Sequence, residues 1–312
     1  MTRFTTTTLC FVVVVVAATV ATSGRLRWAS CIIAGGAYLI VVGLGVAFIR
    51  MRFFADAVCR GTPGRKRVAL TFDDGPDPSV TPVLLDLLDE LGVKATFFCI
   101  GRNVLEHPDI VRRIAAKGHC LANHTFRHAW WTNFLWGRAL RNEIDRAQHA
   151  LESVTGVRPI FFRSPMGLTN PHLDSALRKA GLVLIGWDVR SLDRRRESAS
   201  IVINRVLRKV RDGSIVLLHD GRADKDRLLE IVRQVIDALR QNGYVFVRVD
   251  ADDMKGSLTD RLTSHERRSL RQKSHGGTCE ATTTPSALPG DAALVQQKGQ
   301  NNEQAGIGNV MS

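Results

Sequence analysis

Across residues 66–250 the chain alternates short apolar runs with longer amphipathic ones, the rhythm of a parallel sheet whose strands are joined by crossover helices. The apolar runs predict strands at 68–72, 96–100, 119–123, 160–163, 183–187, 214–219 and 244–249. Helical spacing of apolar residues, such as Leu84, Leu85, Leu87, Leu88 and Leu91, predicts helices at 79–91, 108–117, 137–155, 171–180, 200–210 and 226–242. Seven strands with intervening helices predict an α/β fold, a distorted seven-stranded (β/α) barrel that is closed or nearly so.

The chain outside this region has a different character. Residues 29–49 carry no charge, and at about 1.5 Å rise per residue they extend about 31 Å, the thickness of a bilayer's hydrocarbon core. Residues 4–24 are also uncharged and centre on a run of valines, which fits either a first span or a cleaved signal, with Arg3 before it and Ala21, Thr22 and Ser23 after it. We read residues 1–52 as a membrane anchor, a two-span hairpin over about 5–22 and 29–49, and residues 53–65 as a linker. Residues 66–253 are expected to form the main folded domain, and residues 254–312, basic and then rich in Thr, Pro, Gly, Gln and Asn, a disordered tail.

This division explains the net charge of +13, which at first suggests a nucleic-acid ligand. Residues 1–67 hold +8 of it and residues 254–312 hold +2, leaving +3 for the intervening domain. Basic residues that flank apolar segments point to membrane lipid and argue against nucleic acid. The expected location is a cell membrane of bacterial type. Arg25 and Arg27 compete with basic residues on both sides, so the side that the domain faces stays open. Six cysteines without a CxxC pair give no disulfide framework, and no motif calls for an obligate protein partner.

Unusual polar residues gather at the carboxyl ends of the predicted strands, the face where a barrel of this kind carries its chemistry. Asp73 and Asp74 close the first strand at a turn set by Gly75 and Pro76. If Asp74 binds a cation and Asp73 stays free, the pair supplies one ligand and one base. A solvated turn with helix-capping acids is the competing explanation, and Asp77 fits that one better. His124 and His128 follow the third strand at a spacing that turns both imidazoles to one side of a helical turn. With Asp74 they make a two-histidine, one-carboxylate set, suited to one divalent ion such as zinc with positions left for water and substrate.

These motifs carry a resemblance. Thr71-Phe72-Asp73-Asp74-Gly75-Pro76, His124-Thr125-Phe126-Arg127-His128, Arg163-Ser164-Pro165-Met166-Gly167, Arg190-Ser191-Leu192-Asp193-Arg194 and Leu217-Leu218-His219 resemble, in order and spacing, the motifs of the polysaccharide deacetylase family, the NodB-homology domain. The resemblance implies that Asp73 is the general base, that Asp74, His124 and His128 hold the metal, that Arg163 pairs with Asp73, and that His219 is the general acid. Asp193 would orient His219, the backbone N–H of Met166 would serve the oxyanion, and Leu217 would floor an acyl pocket. Three positions depart from the pattern: Met166 stands for a tyrosine, Arg190 for the first aspartate of the fourth motif, and Arg194 for its tryptophan. The lost indole removes a platform for a sugar ring. Arg190, Arg194, Arg195 and Arg196 add positive charge, which fits either a solvated charge run or an anionic substrate.

The implied activity is metal-dependent removal of N-acetyl groups from amino sugars of a polysaccharide, oligosaccharide or lipid-linked glycan. Two alternatives stay open: a catalytically silent, membrane-tethered carbohydrate-binding module, and a deformylase acting on a lipid-linked amino sugar.

Overall fold

The structure is a computed structural model that describes residues 2–64 and 66–250. The tail expected at 254–312 lies outside the described residues. Two apolar helices come first, α1 (Arg3–Ala21) and α2 (Gly24–Ala47), each long and apolar enough to cross a membrane. The two-residue link between them folds α2 back along α1, where Phe11 stacks on Tyr38 with ring centroids 4.4 Å apart. Arg3 and Phe4 thereby meet the start of the following domain: the Phe4 N–H donates to the Phe53 carbonyl at 3.0 Å, and the Arg3 guanidinium donates to that of Met51 at 2.8 Å.

The domain then alternates strands and helices in the order β1 (Ala57–Val58), β2 (Arg67–Asp73), α3 (Thr81–Glu90), β3 (Thr96–Cys99), α4 (Gly101–Glu106), α5 (Pro108–Ala116), β4 (Cys120–Asn123), α6 (Gly137–Thr155), β5 (Phe161–Phe162), α7 (Leu173–Ala180), β6 (Val183–Ile185), β7 (Val189–Arg190), α8 (Ala199–Leu207), β8 (Ser214–His219), α9 (Lys225–Gln241) and β9 (Val245–Phe246). The strands lie in the order β1-β6-β5-β4-β3-β2-β8-β7, with β9 added to the foot of β2. Every strand ladder among the described residues is parallel. The sheet curls until its edges approach, and an antiparallel bridge between Arg60 and Ser214 joins the chain beyond β1 to β8. The architecture is thus the expected curled parallel α/β barrel, with the two-residue strands β1 and β7 added to the seven read from the sequence.

Side-chain alternation along β2 divides the core. Val68, Leu70 and Phe72 pack outward against Leu84, Leu88, Val232 and Val235 of the helices, while Ala69 joins Phe98, Phe161, Ile215 and Leu217 inside the barrel. Thr71 and Asp73 share that inner face, so the strand delivers Asp73 to the barrel's carboxyl mouth. Helix ends follow from local sequence. Gly156, at φ 68°, ends α6, and the Asp224 side chain caps α9 by accepting from the Arg227 N–H at 3.2 Å. Asp77 plays the structural part expected of it, accepting from both the N–H and the hydroxyl of Ser79 ahead of α3.

Candidate active site

At the carboxyl mouth of the barrel, Asp73 and Asp74 point to different partners. Asp73 Oδ1 accepts from Arg163 Nη1 at 2.7 Å. The Arg163 side chain, wholly removed from solvent, also donates to Thr71 Oγ1 at 2.7 Å and to the carbonyls of Ile185 and Gly186 at 3.3 and 3.0 Å. Its guanidinium lies 3.9 Å over the Phe98 ring. A buried cation of this kind persists only when paired and fully hydrogen-bonded, so Arg163 fixes Asp73 and is fixed by it.

Asp74 turns the other way because its backbone is left-handed, φ 73°. Its Oδ1 faces His124 Nε2 at 3.4 Å and His128 Nε2 at 3.2 Å. These three ligand atoms lie within 4.8 Å of one another. Asp74 Oδ1 is buried and takes no hydrogen bond, a state that is costly unless a cation completes it. His124 Nδ1 is 2.8 Å from the Arg163 carbonyl oxygen, which fixes the tautomer with Nδ1 protonated and leaves the Nε2 lone pair free. The residues present therefore fit a divalent ion. Burial opposes the charge on Asp74, but the surrounding imidazoles of His124, His128 and His219 hold its carboxyl well below the usual range. Burial, and then the neighbouring His124, lower His128 to about 4, which keeps it in the neutral form that ligates.

The other expected site residues converge on the same place. Asp73, Asp74, His124, His128, Met166, Leu217 and His219 line one cavity of about 410 Å³. His219 Nδ1 donates to Asp193 Oδ1 at 2.9 Å, and the backbone N–H of His219 donates to Asp193 Oδ2, also at 2.9 Å. Burial lowers the imidazole's pKa, but the Asp193 bond and charge outweigh it and raise the value. Asp193 is itself set by Ser191, whose hydroxyl donates to it at 2.6 Å. Leu217 sits two positions before His219 on the inner face of β8, and Met166, at φ 58°, lies across the mouth. Non-glycine residues with positive φ are sparse in proteins, yet Asp74, Thr125, His128, Met166 and Leu192 all adopt it around this cavity.

Two residues here, Trp187 and Asp220, lie outside the motifs read from the sequence. Trp187 lines the cavity and packs so closely under Gly167 that a Cβ there would overlap its ring, so an indole is present although the fourth motif lacks one. Arg194, in that motif's tryptophan position, pairs its guanidinium with Asp74 Oδ2, and Arg190 and Arg195 join the lining. Asp220 is buried beside His219, bonded to Thr81 Oγ1 at 2.6 Å, and burial pushes its carboxyl up to about 7. Its position directly after the last motif, at a strand end, was the available signal. His119 fills a core position, where its Nδ1 accepts from the Ala95 N–H at 3.1 Å.

Comparisons with known proteins agree with the arrangement. The profile of the family described as polysaccharide deacetylase matches residues 60–185. A peptidoglycan-N-acetylglucosamine deacetylase of Bacillus cereus is 35% identical over 186 residues, covering 59% of this chain and 86% of that protein. A chitooligosaccharide deacetylase of Azorhizobium caulinodans is 36% identical over 199 residues, covering 59% and 93% respectively. Among solved structures, a mutant of a CE4-family pseudoenzyme with restored enzymatic activity superimposes with a TM-score of 0.58 at 27% identity, over 62% of this chain and 70% of that one. The chain belongs to the polysaccharide deacetylase family and, as a member, is a hydrolase acting on carbon–nitrogen bonds other than peptide bonds.

Proposed function

We propose that this protein removes N-acetyl groups from amino sugars of a glycan or glycolipid in a metal-dependent reaction, anchored to the membrane by α1 and α2 as a two-span hairpin. The observation that carries the reading is the juxtaposition of Asp74 Oδ1, His124 Nε2 and His128 Nε2 within 4.8 Å, beside an Asp73 held by Arg163. The two relatives named above act on N-acetylglucosamine-containing peptidoglycan and on chitooligosaccharide, which supports the substrate class. Apolar length and composition of the first two helices support the anchor.

Asp74, His124 and His128 would hold one divalent ion, which would supply Lewis-acid chemistry to the water and the acetyl carbonyl. The rest falls to the chain's own groups. Arg163 occupies Asp73 Oδ1 and leaves Oδ2 directed toward the cavity, where it takes the proton from the attacking water. The Met166 N–H serves the oxygen on which negative charge develops. His219, oriented and made more basic by Asp193, gives its proton to the departing amine, and Leu217 with Trp187 receives the acetyl methyl.

The reading is tested by acetate release from an N-acetylglucosamine oligomer with the full chain in detergent. Release should stop with chelator, return with added zinc, and be lost in Asp73→Asn; release that survives both treatments refutes it. A second reading, a tethered sugar-binding module without turnover, is favoured by one observation: Arg194 pairs with Asp74 Oδ2 and so competes with an ion for that carboxylate. Sugar binding without acetate release, converted to release by Arg194→Trp, would select it.

A further inference from the structure

The loop that carries His128 leads directly into Trp130, Trp131, Phe134 and Trp136, which are 68%, 48%, 65% and 72% exposed. Single exposed apolar residues are ordinary, but four large rings within one short segment form a patch that water disfavours. The rings brace one another. Trp130 meets Trp131 and Phe134 edge-on at centroid separations of 5.7 and 6.3 Å, and Trp136 stacks on His172 at 6.0 Å. The backbone beneath is tied down as well, since Asn170 Nδ2 donates to the carbonyls of Asn133 and Leu135 at 2.9 and 3.2 Å.

The adjacent residue grips the second apolar helix. The Thr169 N–H donates to the Val46 carbonyl at 3.1 Å, and its hydroxyl donates to the Gly45 carbonyl at 3.0 Å. Thr169 and Asn170 therefore couple the carboxyl end of α2 to the aromatic segment. That end is followed by the exposed Phe48 and by Arg50 and Arg52, and a cleft beside it is lined by Arg3 together with Arg52 and Arg178, which pair with Asp56 and Asp174. Tryptophan favours the boundary between headgroups and acyl chains, and arginine favours the headgroups themselves. The two preferences meet where α2 ends.

We infer that residues 130–136 form a second membrane contact, seated in the interface of the same bilayer that α1 and α2 cross, and that this contact holds the His124–His128 loop at the membrane surface. The inference rests on the reading of α1 and α2 as spans. It makes an amino sugar presented at the bilayer surface the substrate that the cavity meets most readily. Neither a sugar ring nor a second copy of the chain accounts for the coupling to α2, whereas a bilayer contacts both features at once.

Tryptophan fluorescence of the full chain in phosphatidylcholine vesicles tests this, with a fraction of the lipid brominated on the acyl chain near the headgroup. Wild-type emission and that of two variants, Trp28→Phe and the combined Trp130→Phe, Trp131→Phe, Trp136→Phe, are compared with and without bromine. The buried Trp187 gives a common background. The inference expects bromolipid to quench the loop emission that remains in Trp28→Phe, to an extent comparable with Trp28 itself in the combined variant. Quenching of Trp28 with none of the loop emission overturns the inference while the spans stand. Quenching of neither overturns the span reading, and the inference with it. Loop emission that responds to chito-oligomer or to protein concentration, and not to bromolipid, assigns the patch to sugar or to a second copy and likewise overturns it. The wild-type measurement needs no substitution, and phenylalanine keeps ring packing in the variants.

Discussion

Replacing Arg163 with methionine tests how firmly the catalytic mouth is tied to the fold. The substitution keeps most of the buried volume but removes the charge paired with Asp73 and the donors to Thr71, Ile185 and Gly186. Both partners are shielded, with side-chain exposures of 0% for Arg163 and 6% for Asp73, so solvent screening gives little relief. Breaking such a pair costs about 3–5 kcal/mol, and stranding the two carbonyls adds roughly 1 kcal/mol or more, about 4–6 kcal/mol together. At about 2–4 °C per kcal/mol for a domain of this size, the melting temperature should fall by roughly 10–20 °C. Thermal unfolding of the full chain in detergent, followed by near-ultraviolet circular dichroism, reads the shift. Adding Asp73→Asn removes the stranded carboxylate, so the double variant should recover about 1–3 kcal/mol relative to additivity. A loss below about 1 kcal/mol, or strict additivity, would mean that the pair is not what holds Arg163 in place.

Zinc at about 100 times its dissociation constant should stabilise the wild-type chain by about 2.7 kcal/mol, and His128→Ala should abolish that rise; an equal zinc response in the variant contradicts the ligand set. In Asp193→Asn the interaction that raises His219 is lost. In the proposed mechanism His219 is the protonated acid, so kcat/KM declines as pH rises through its pKa and the declining limb should move to lower pH; an unmoved limb excludes His219 as the titrating acid. A Cβ at Gly221 would overlap the backbone carbonyl and Cβ of Asp74, so Gly221→Ala should weaken zinc binding by about 10–100-fold, measured by competition with a chromogenic chelator; unchanged affinity would show that Asp74 tolerates displacement.

What the sequence disclosed depended on the range over which each signal acts. Helix α6 was read with its observed ends because an amphipathic repeat and two flanking glycines define it locally. Strand β8 was likewise bounded correctly by its uninterrupted apolar run. The strands β1 and β7 have two residues each, too few for a period to register, and α4 follows a strand directly and ends before Pro108 without a cap signal. At the site, residues that belong to motifs were found, and the structure brings Asp73, Asp74, His124, His128, Met166, Leu217 and His219 around one cavity. The contacts of Arg194 with Asp74 and of Trp187 with Gly167 depend on how distant loops close over the barrel, which neither periodicity nor spacing encodes. Nor does sequence alone show that Asp220 is buried.

The left-handed backbone at Asp74, Thr125, His128, Met166 and Leu192 has a bearing on redesign. β-branched replacements at Asp74, His128, Met166 and Leu192 would strain the main chain before any new side chain could act, so the placement of Asp74 and His128 is effectively written into loop conformation. Arg190 and Arg195 border the cavity from ordinary backbone. Laboratory selection for altered sugar preference should therefore sample those two arginines freely and leave the strained ring untouched.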